Sequence, residues 1–195
     1  MNRLVRITRD LLLTVLIFLL LGLVIVRMSD ADREAVSGRA RVVDGDTLVM
    51  AGQRIRLVGI DAPELRQVCA RDGQAWACGR ASKDHLEALI GEASASCSAD
   101  GSDRYGRLLA VCLVEEVDLN AAMVGNGFAV AFGHYEADEE AARRKRLGLW
   151  AGTFDAPRTW RQTHGGMDEM PHMPTGSVGM MMSGIGSWLA GLWDD

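Results

Sequence analysis

Lysine is nearly missing from this 195-residue chain, present only at Lys83 and Lys145, and the formal net charge is −5. Such a balance excludes a protein that coats nucleic acid through its overall field, so any polyanion must be gripped locally by arginine, the better bidentate phosphate ligand. The sequence has no C-x-x-C, which argues against a zinc ribbon or a thioredoxin-like redox motif. It has no P-loop and no G-x-S-x-G, so phosphate-cradle NTPases and serine hydrolases of the nucleophile-elbow type are set aside. His85, His134 and His164 stand at no metal-ligand spacing from one another.

What is present begins with an address. Arg3, Arg6 and Arg9 precede "LLLTVLIFLLLGLVIV", Leu11 to Val26, which carries no charge. The segment enters or crosses a membrane with its arginines inside and the following domain outside. It is either an uncleaved signal anchor or a signal peptide cleaved near "SDA" at Ser29 to Ala31. Residues 1–10 are then a cytoplasmic n-region, 11–27 the membrane segment and 28–37 a polar linker. Cys69, Cys78, Cys97 and Cys112 lie in the part predicted to be exported, where four cysteines form two disulfides in one of three connectivities.

The segment "DGDTLVMAGQRIRLVGIDAPE", Asp44 to Glu64, has an alternating apolar middle and carboxylates at both ends. Leu48, Met50, Ile55 and Leu57 alternate as in a half-buried strand pair around a Gly52-Gln53 loop. That register pairs Met50 with Ile55, Leu48 with Leu57, Asp46 with Gly59 and Asp44 with Asp61. Three carboxylates then meet at the open end, an arrangement that calls for a hard cation held by oxygen ligands, Ca²⁺ outside the cell. Pro63 makes Ala62 extended and stiffens the loop carrying Asp61 and Glu64.

Further along, "RARVV" (39–43) reads as a strand and Gly73 to Ile90 as a region with a helix broken or preceded by Cys78-Gly79. A second hairpin follows, from "SASCSA" through "DGSDRYG" to "RLLAVCLV". A turn at Asp103 to Gly106 places Cys97 opposite Cys112, which selects Cys97–Cys112 and leaves Cys69–Cys78 as the other bridge. Asp118 caps a short helix that stops at Gly125-Asn126-Gly127. The final predicted helix starts at Ala137 and ends before Gly148. Its acidic first turn and basic last turn suit the helix dipole, with Glu139–Arg143 and Glu140–Arg144 at i,i+4. Residues 163–195 form a Met- and Gly-rich apolar tail. Met167, Met170, His172 and Met173 in it are a soft-ligand set suited to Cu(I), weighed against a plain disordered or membrane-surface tail.

The segments "VVDGDTLVM", "RIRLVGIDAPE", "DRYGRLLA" and "KRLGLWAG", in this order and spacing, resemble the staphylococcal nuclease-like (thermonuclease) family over roughly Gly38 to Arg161. The resemblance implies an α+β fold, a five-stranded OB-type β-barrel with about three packed helices, spanning residues 38–162. It also implies Ca²⁺-dependent hydrolysis of phosphodiesters in DNA and RNA. By position it implies calcium ligands at Asp46, Asp61 and the Ala62 backbone carbonyl, with Asp44 behind them. Catalytic roles fall on Arg56, Glu64 and Arg107. The first hairpin is shorter than the family's, and the four cysteines are an addition.

These residue types suit the chemistry on their own terms. A phosphodiester repels hydroxide, so a cation must neutralise a non-bridging oxygen. Two guanidiniums can fork onto the phosphoryl oxygens, and a carboxylate can accept the proton of the attacking water. The competing expectation is a non-catalytic OB-type module that binds nucleic acid or a surface polysaccharide.

Overall fold

A computed structural model describes residues 2–31 and 34–165, and the chain divides into two compact units, Met1–Arg33 and Glu34–Asp195. The first unit is one helix, α1 (Asn2–Ala31). Within it Ile7–Val24, 18 residues, is long and apolar enough to cross a membrane by length and composition. The Met-rich cluster at 167–173 lies outside the described residues.

In the second unit β1 (Glu34–Gly38), β2 (Arg41–Val42), β3 (Thr47–Met50), β4 (Gln53–Leu57), β5 (Ile60–Asp61), β6 (Cys69–Arg71) and β7 (Gln74–Trp76) precede α2 (Cys78–Ile90). There follow β8 (Ala95–Ser102), β9 (Leu108–Val114), β10 (Val117–Asp118), α3 (Leu119–Gly125), β11 (Val130–Ala131), α4 (Glu136–Lys145), a 3₁₀ turn at Gly148–Ala151 and α5 (Pro157–Thr163). The main sheet runs β1-β8-β9-β4-β3-β2, with β10 also on β9, and is mixed because β4 and β9 are parallel. This is an OB-like α+β fold, but not the expected five strands and three helices: the main sheet has seven strands, and α2 to α5 number four.

The extra edge strand corrects the predicted linker at 28–37. Glu34 to Gly38 pair with Ala99 to Ala95, and Val36, opposite Cys97, is buried. Its other side chains are mostly solvated, so local composition reads as a linker; only pairing with a strand some sixty residues away makes it a strand.

The core lies between the sheet and the helices, with Leu48, Ile55, Leu57, Leu86, Leu119 and Met123 excluded from solvent. Buried Asn120 ties α3 to the sheet, donating to the Val58 and Ala110 carbonyls at 2.9 and 3.2 Å and accepting from Cys112 N–H.

The first hairpin turns at Ala51-Gly52, both at positive φ (50° and 81°), one residue before the predicted loop. Leu48 therefore faces Ile55, and Met50 faces Gln53, a register two residues from the expected one. An even shift leaves every side chain on its predicted face, so the core residues are those expected while their cross-strand partners are not. The ladder stops at Thr47, so the expected Asp46–Gly59 and Asp44–Asp61 pairs do not form; Asp61 instead pairs with Val130 of β11.

Of the two readings of Cys78-Gly79 the structure takes the one in which they open the helix: α2 begins at Cys78, and residues 74–76 before it are a strand paired with β6. In the second hairpin Cys97 stands opposite Cys112, and a bulge between Ala99 and Ser102 moves Ser102 opposite Leu108. The disulfides are Cys69–Cys78 and Cys97–Cys112. Asp118 caps α3, accepting from Ala121 N–H at 3.0 Å, and the two α4 ion pairs form at 2.9 and 2.5 Å.

Candidate active site

The residues of "DGD" and "DAPE" meet because two backbone segments are pressed together without room for side chains. A Cβ on Gly45 would lie 2.1 Å from Ser82 Oγ of α2, and one on Gly79 would lie 1.7 Å from the Glu64 carbonyl oxygen. The N-terminus of α2 is thus seated directly on the Glu64 loop. Gln67, fully buried, closes that loop: it accepts from Glu64 N–H at 3.2 Å and donates to the Asp155 carbonyl at 2.7 Å. The Cys69–Cys78 bridge joins the end of this loop to the first residue of α2.

Asp46 is buried, with both carboxylate oxygens engaged. Its carboxylate accepts from Ala62 N–H at 2.8 Å and from the Thr47 hydroxyl at 3.2 Å, and it forms a close ion pair with Arg56 Nη1. The other Arg56 nitrogen, Nη2, donates to Asp61 at 3.0 Å. Arg56 nominally points to the strand face opposite Asp46, yet the two meet. The reason is that Asp44 to Asp46 form a bend outside the ladder, where strand alternation no longer applies. Asp44 accepts from Asp46 N–H at 3.2 Å, stabilising that bend.

Asp61 lies beneath the cleft between two guanidiniums. Arg161 of α5 forks onto it, Nη1 to Oδ1 and Nη2 to Oδ2, both at 3.0 Å, and Nη1 also donates to Glu64 Oε1 at 3.0 Å. Burial pushes the Asp61 carboxyl above its ordinary value, opposed by Arg161 and Arg56. Burial likewise raises Glu64; Arg161 pulls against it, and the Asp46 and Asp61 charges add to the rise.

Arg107 comes from the turn between β8 and β9. Its Nε donates to Asp103 Oδ2 at 2.7 Å, and its side chain lines the cleft. A cavity of about 520 Å³ brings together Asp44, Asp46, Arg56, Ala62, Glu64 and Arg107, with Arg66, Trp160, Arg161 and His164 on its remaining walls. Trp160 and His164 stack with ring centroids 4.2 Å apart.

Sequence reasoning missed Arg161. An arginine four residues after a helix-opening proline reads as a solvated side chain, and its partners are 100 and 97 residues away. No local signal marks it.

Among the described residues no three His, Cys, Asp or Glu side chains are grouped as a metal cage. The carboxylates on the cleft wall, Asp44, Asp46 and Glu64, are hard oxygen donors of the kind that suit a hard cation, and His164 brings an imidazole to the same wall.

The family described as "Staphylococcal nuclease homologue" matches residues 54–152. An uncharacterized endonuclease of Haemophilus influenzae is 33% identical over 169 residues, 80% of this chain and 87% of that one. The succinoglycan biosynthesis protein ExoI of Rhizobium meliloti is 34% identical over 125 residues, 60% of this chain and 65% of that protein, just under two thirds of its length. A micrococcal nuclease of Shigella flexneri is 33% identical over 144 residues, 63% of this chain and 78% of that one.

Proposed function

The chain belongs to the staphylococcal nuclease family, and from that premise we propose that it is a calcium-dependent nuclease hydrolysing phosphodiester bonds of DNA or RNA. One observation carries the reading: Asp46, Arg56, Glu64 and Arg107, from four separate stretches of chain, line one cleft above Asp61.

In this mechanism Glu64 accepts the proton of the attacking water, for which its carboxylate stands on the cleft wall with one oxygen already held by Arg161. The water oxygen bonds to phosphorus as the bond to the leaving oxygen breaks, and solvent protonates the departing alkoxide. Arg56 and Arg107 donate to the non-bridging oxygens, whose negative charge grows in the five-coordinate transition state. Asp46, Asp61 and the Ala62 carbonyl would hold Ca²⁺, which supplies neutralisation of phosphoryl charge when bound. Asp44 acts behind them by fixing the bend that carries Asp46.

The domain works on the outer side of a membrane. Two disulfides support an oxidising compartment, and α1 supports either an anchor or a signal segment. A second reading, a non-catalytic module binding a surface polysaccharide or nucleic acid, is favoured by the relative named for succinoglycan biosynthesis.

The deciding experiment incubates the full chain in detergent with single-stranded DNA, duplex DNA and RNA, in Ca²⁺ or in chelator. Cleavage with Ca²⁺ alone is expected. Glu64→Gln is expected to lower kcat by about 10²-fold or more with calcium affinity by calorimetry unchanged, whereas Asp61→Ala weakens calcium binding itself. Binding without cleavage would favour the second reading, and full activity in chelator would remove the metal.

A further inference from the structure

Helix α5 begins beyond the 54–152 segment that the family match covers, yet it forms one wall of the cleft. We infer that Arg161 of this helix is a positioning residue of the active site, holding the Glu64 carboxylate in its working orientation while anchored on Asp61; the inference rests on the nuclease reading above.

Glu64 is the exposed member of the pair. Its side chain is 37% exposed, and three rotatable bonds separate its carboxylate from the backbone. Arg161 is the opposite, 6% exposed and forked across both oxygens of Asp61, itself 1% exposed. The nitrogen that reaches Asp61 Oδ1, Nη1, also reaches Glu64 Oε1. A rigid guanidinium plane locked by one buried carboxylate therefore presents a fixed donor to the exposed one. Asp46 and Asp61 share Arg56, so Arg161 balances the second buried carboxylate, and two hydrogen bonds to Asp61 suffice for that; the third, to Glu64, goes beyond it. That third bond fixes the orientation of Glu64. One oxygen of the Glu64 carboxylate is held by Arg161, and the other can face a water in the cleft.

Arg161→Lys tests this, because lysine keeps the charge beside Asp61 and so the fold, but cannot span both carboxylates with one rigid plane. With the full chain on a model oligonucleotide, kcat is expected to fall by about 10- to 100-fold with KM within about threefold. Repeated in Glu64→Gln, the same substitution is expected to cost less than about threefold, since the group it positions has already lost its role. Equal cost in both backgrounds, or unchanged kcat in Arg161→Lys, would overturn the positioning role. Crystal structures of the parent and Arg161→Lys supply a readout independent of activity. One Glu64 rotamer in the parent and several in the variant supports the inference, whereas one shared rotamer overturns it. A parent that cleaves nothing defeats the nuclease reading, and the crystallographic comparison still decides whether Arg161 orients Glu64.

Discussion

Arg107 Nε donates to Asp103 Oδ2 at 2.7 Å, and the other oxygen of the same carboxylate accepts the backbone N–H groups of Tyr105 and Arg107 at 2.8 and 3.0 Å. One carboxylate thus shapes the β8–β9 turn and aims the arginine that the turn delivers to the cleft.

Asp103 is partly desolvated, which raises its pKa, but the bonds from Arg107 and Tyr105 outweigh this and hold it below the ordinary value. A carboxyl lowered in the folded state stabilises the fold above its unfolded pKa, about 3.9, and loses that contribution as pH falls through the folded value. Asp103→Asn is therefore expected to lower Tm by roughly 2–4 °C at pH 7, with the gap from the parent closing below about pH 4. Its kcat falls because Arg107 is less firmly aimed. Melting curves across pH check the first statement; a gap that widens in acid would refute it.

Gly79→Ala places a methyl 1.7 Å from the Glu64 carbonyl oxygen, so α2 or the Glu64 loop must move. The expected cost is about 1–3 kcal/mol of stability, with a loss of kcat on the order of tenfold as Glu64 is displaced. Thermal melts and single-turnover cleavage measure the two effects. Parent-like values in both would show that this close approach does not position Glu64.

The Cys97–Cys112 bridge joins β8 to β9, next to β1, and closes a loop of 15 residues that contains the Arg107 turn. Removing it by Cys97→Ser with Cys112→Ser is expected to cost about 3 kcal/mol, chiefly through the unfolded chain. Reductant should lower Tm of the parent and leave that double variant less affected. Non-reducing peptide mapping identifies the linkage directly, and recovery of a Cys78–Cys97 peptide would contradict the pairing.

For topology, protease added outside the cytoplasmic membrane of intact cells is expected to digest the domain, which otherwise stays with membranes through a salt wash. The apolar run in α1 and the arginines before it are the basis. A soluble mature form beginning near Asp32 would identify α1 as a cleaved signal instead; a domain protected from protease would reverse the orientation.

Much of the site is legible in the sequence. Asp44, Asp46, Arg56, Asp61, Ala62 and Glu64 lie within 21 residues, and the spacing of "DGD", "RIR" and "DAPE" carries the family resemblance. Hairpin pairing is less so. Placing the turn at Gly52-Gln53 rather than Ala51-Gly52 costs nothing in hydrophobic pattern, because a two-residue slip preserves which face each residue occupies. The second hairpin is better specified because its cysteines, buried and bonded, tolerate one register only.

Sequence by itself determined the two main hairpins and helices α2 to α4 in their order, the apolar N-terminal segment, the disulfide pairing and the acids and arginines of the Asp44–Glu64 segment and the "DRYGR" turn, since each is written in local period, spacing or charge. Tertiary structure alone decided that Glu34 to Gly38 become an edge strand, that Asp46 leaves the ladder to meet Arg56, and that Arg161 reaches Asp61 and Glu64. These three depend on contacts between residues distant in the chain or on where a ladder ends. The free energy of burying a guanidinium against two carboxylates belongs to the assembled site and leaves no mark on the residues beside Arg161 in sequence.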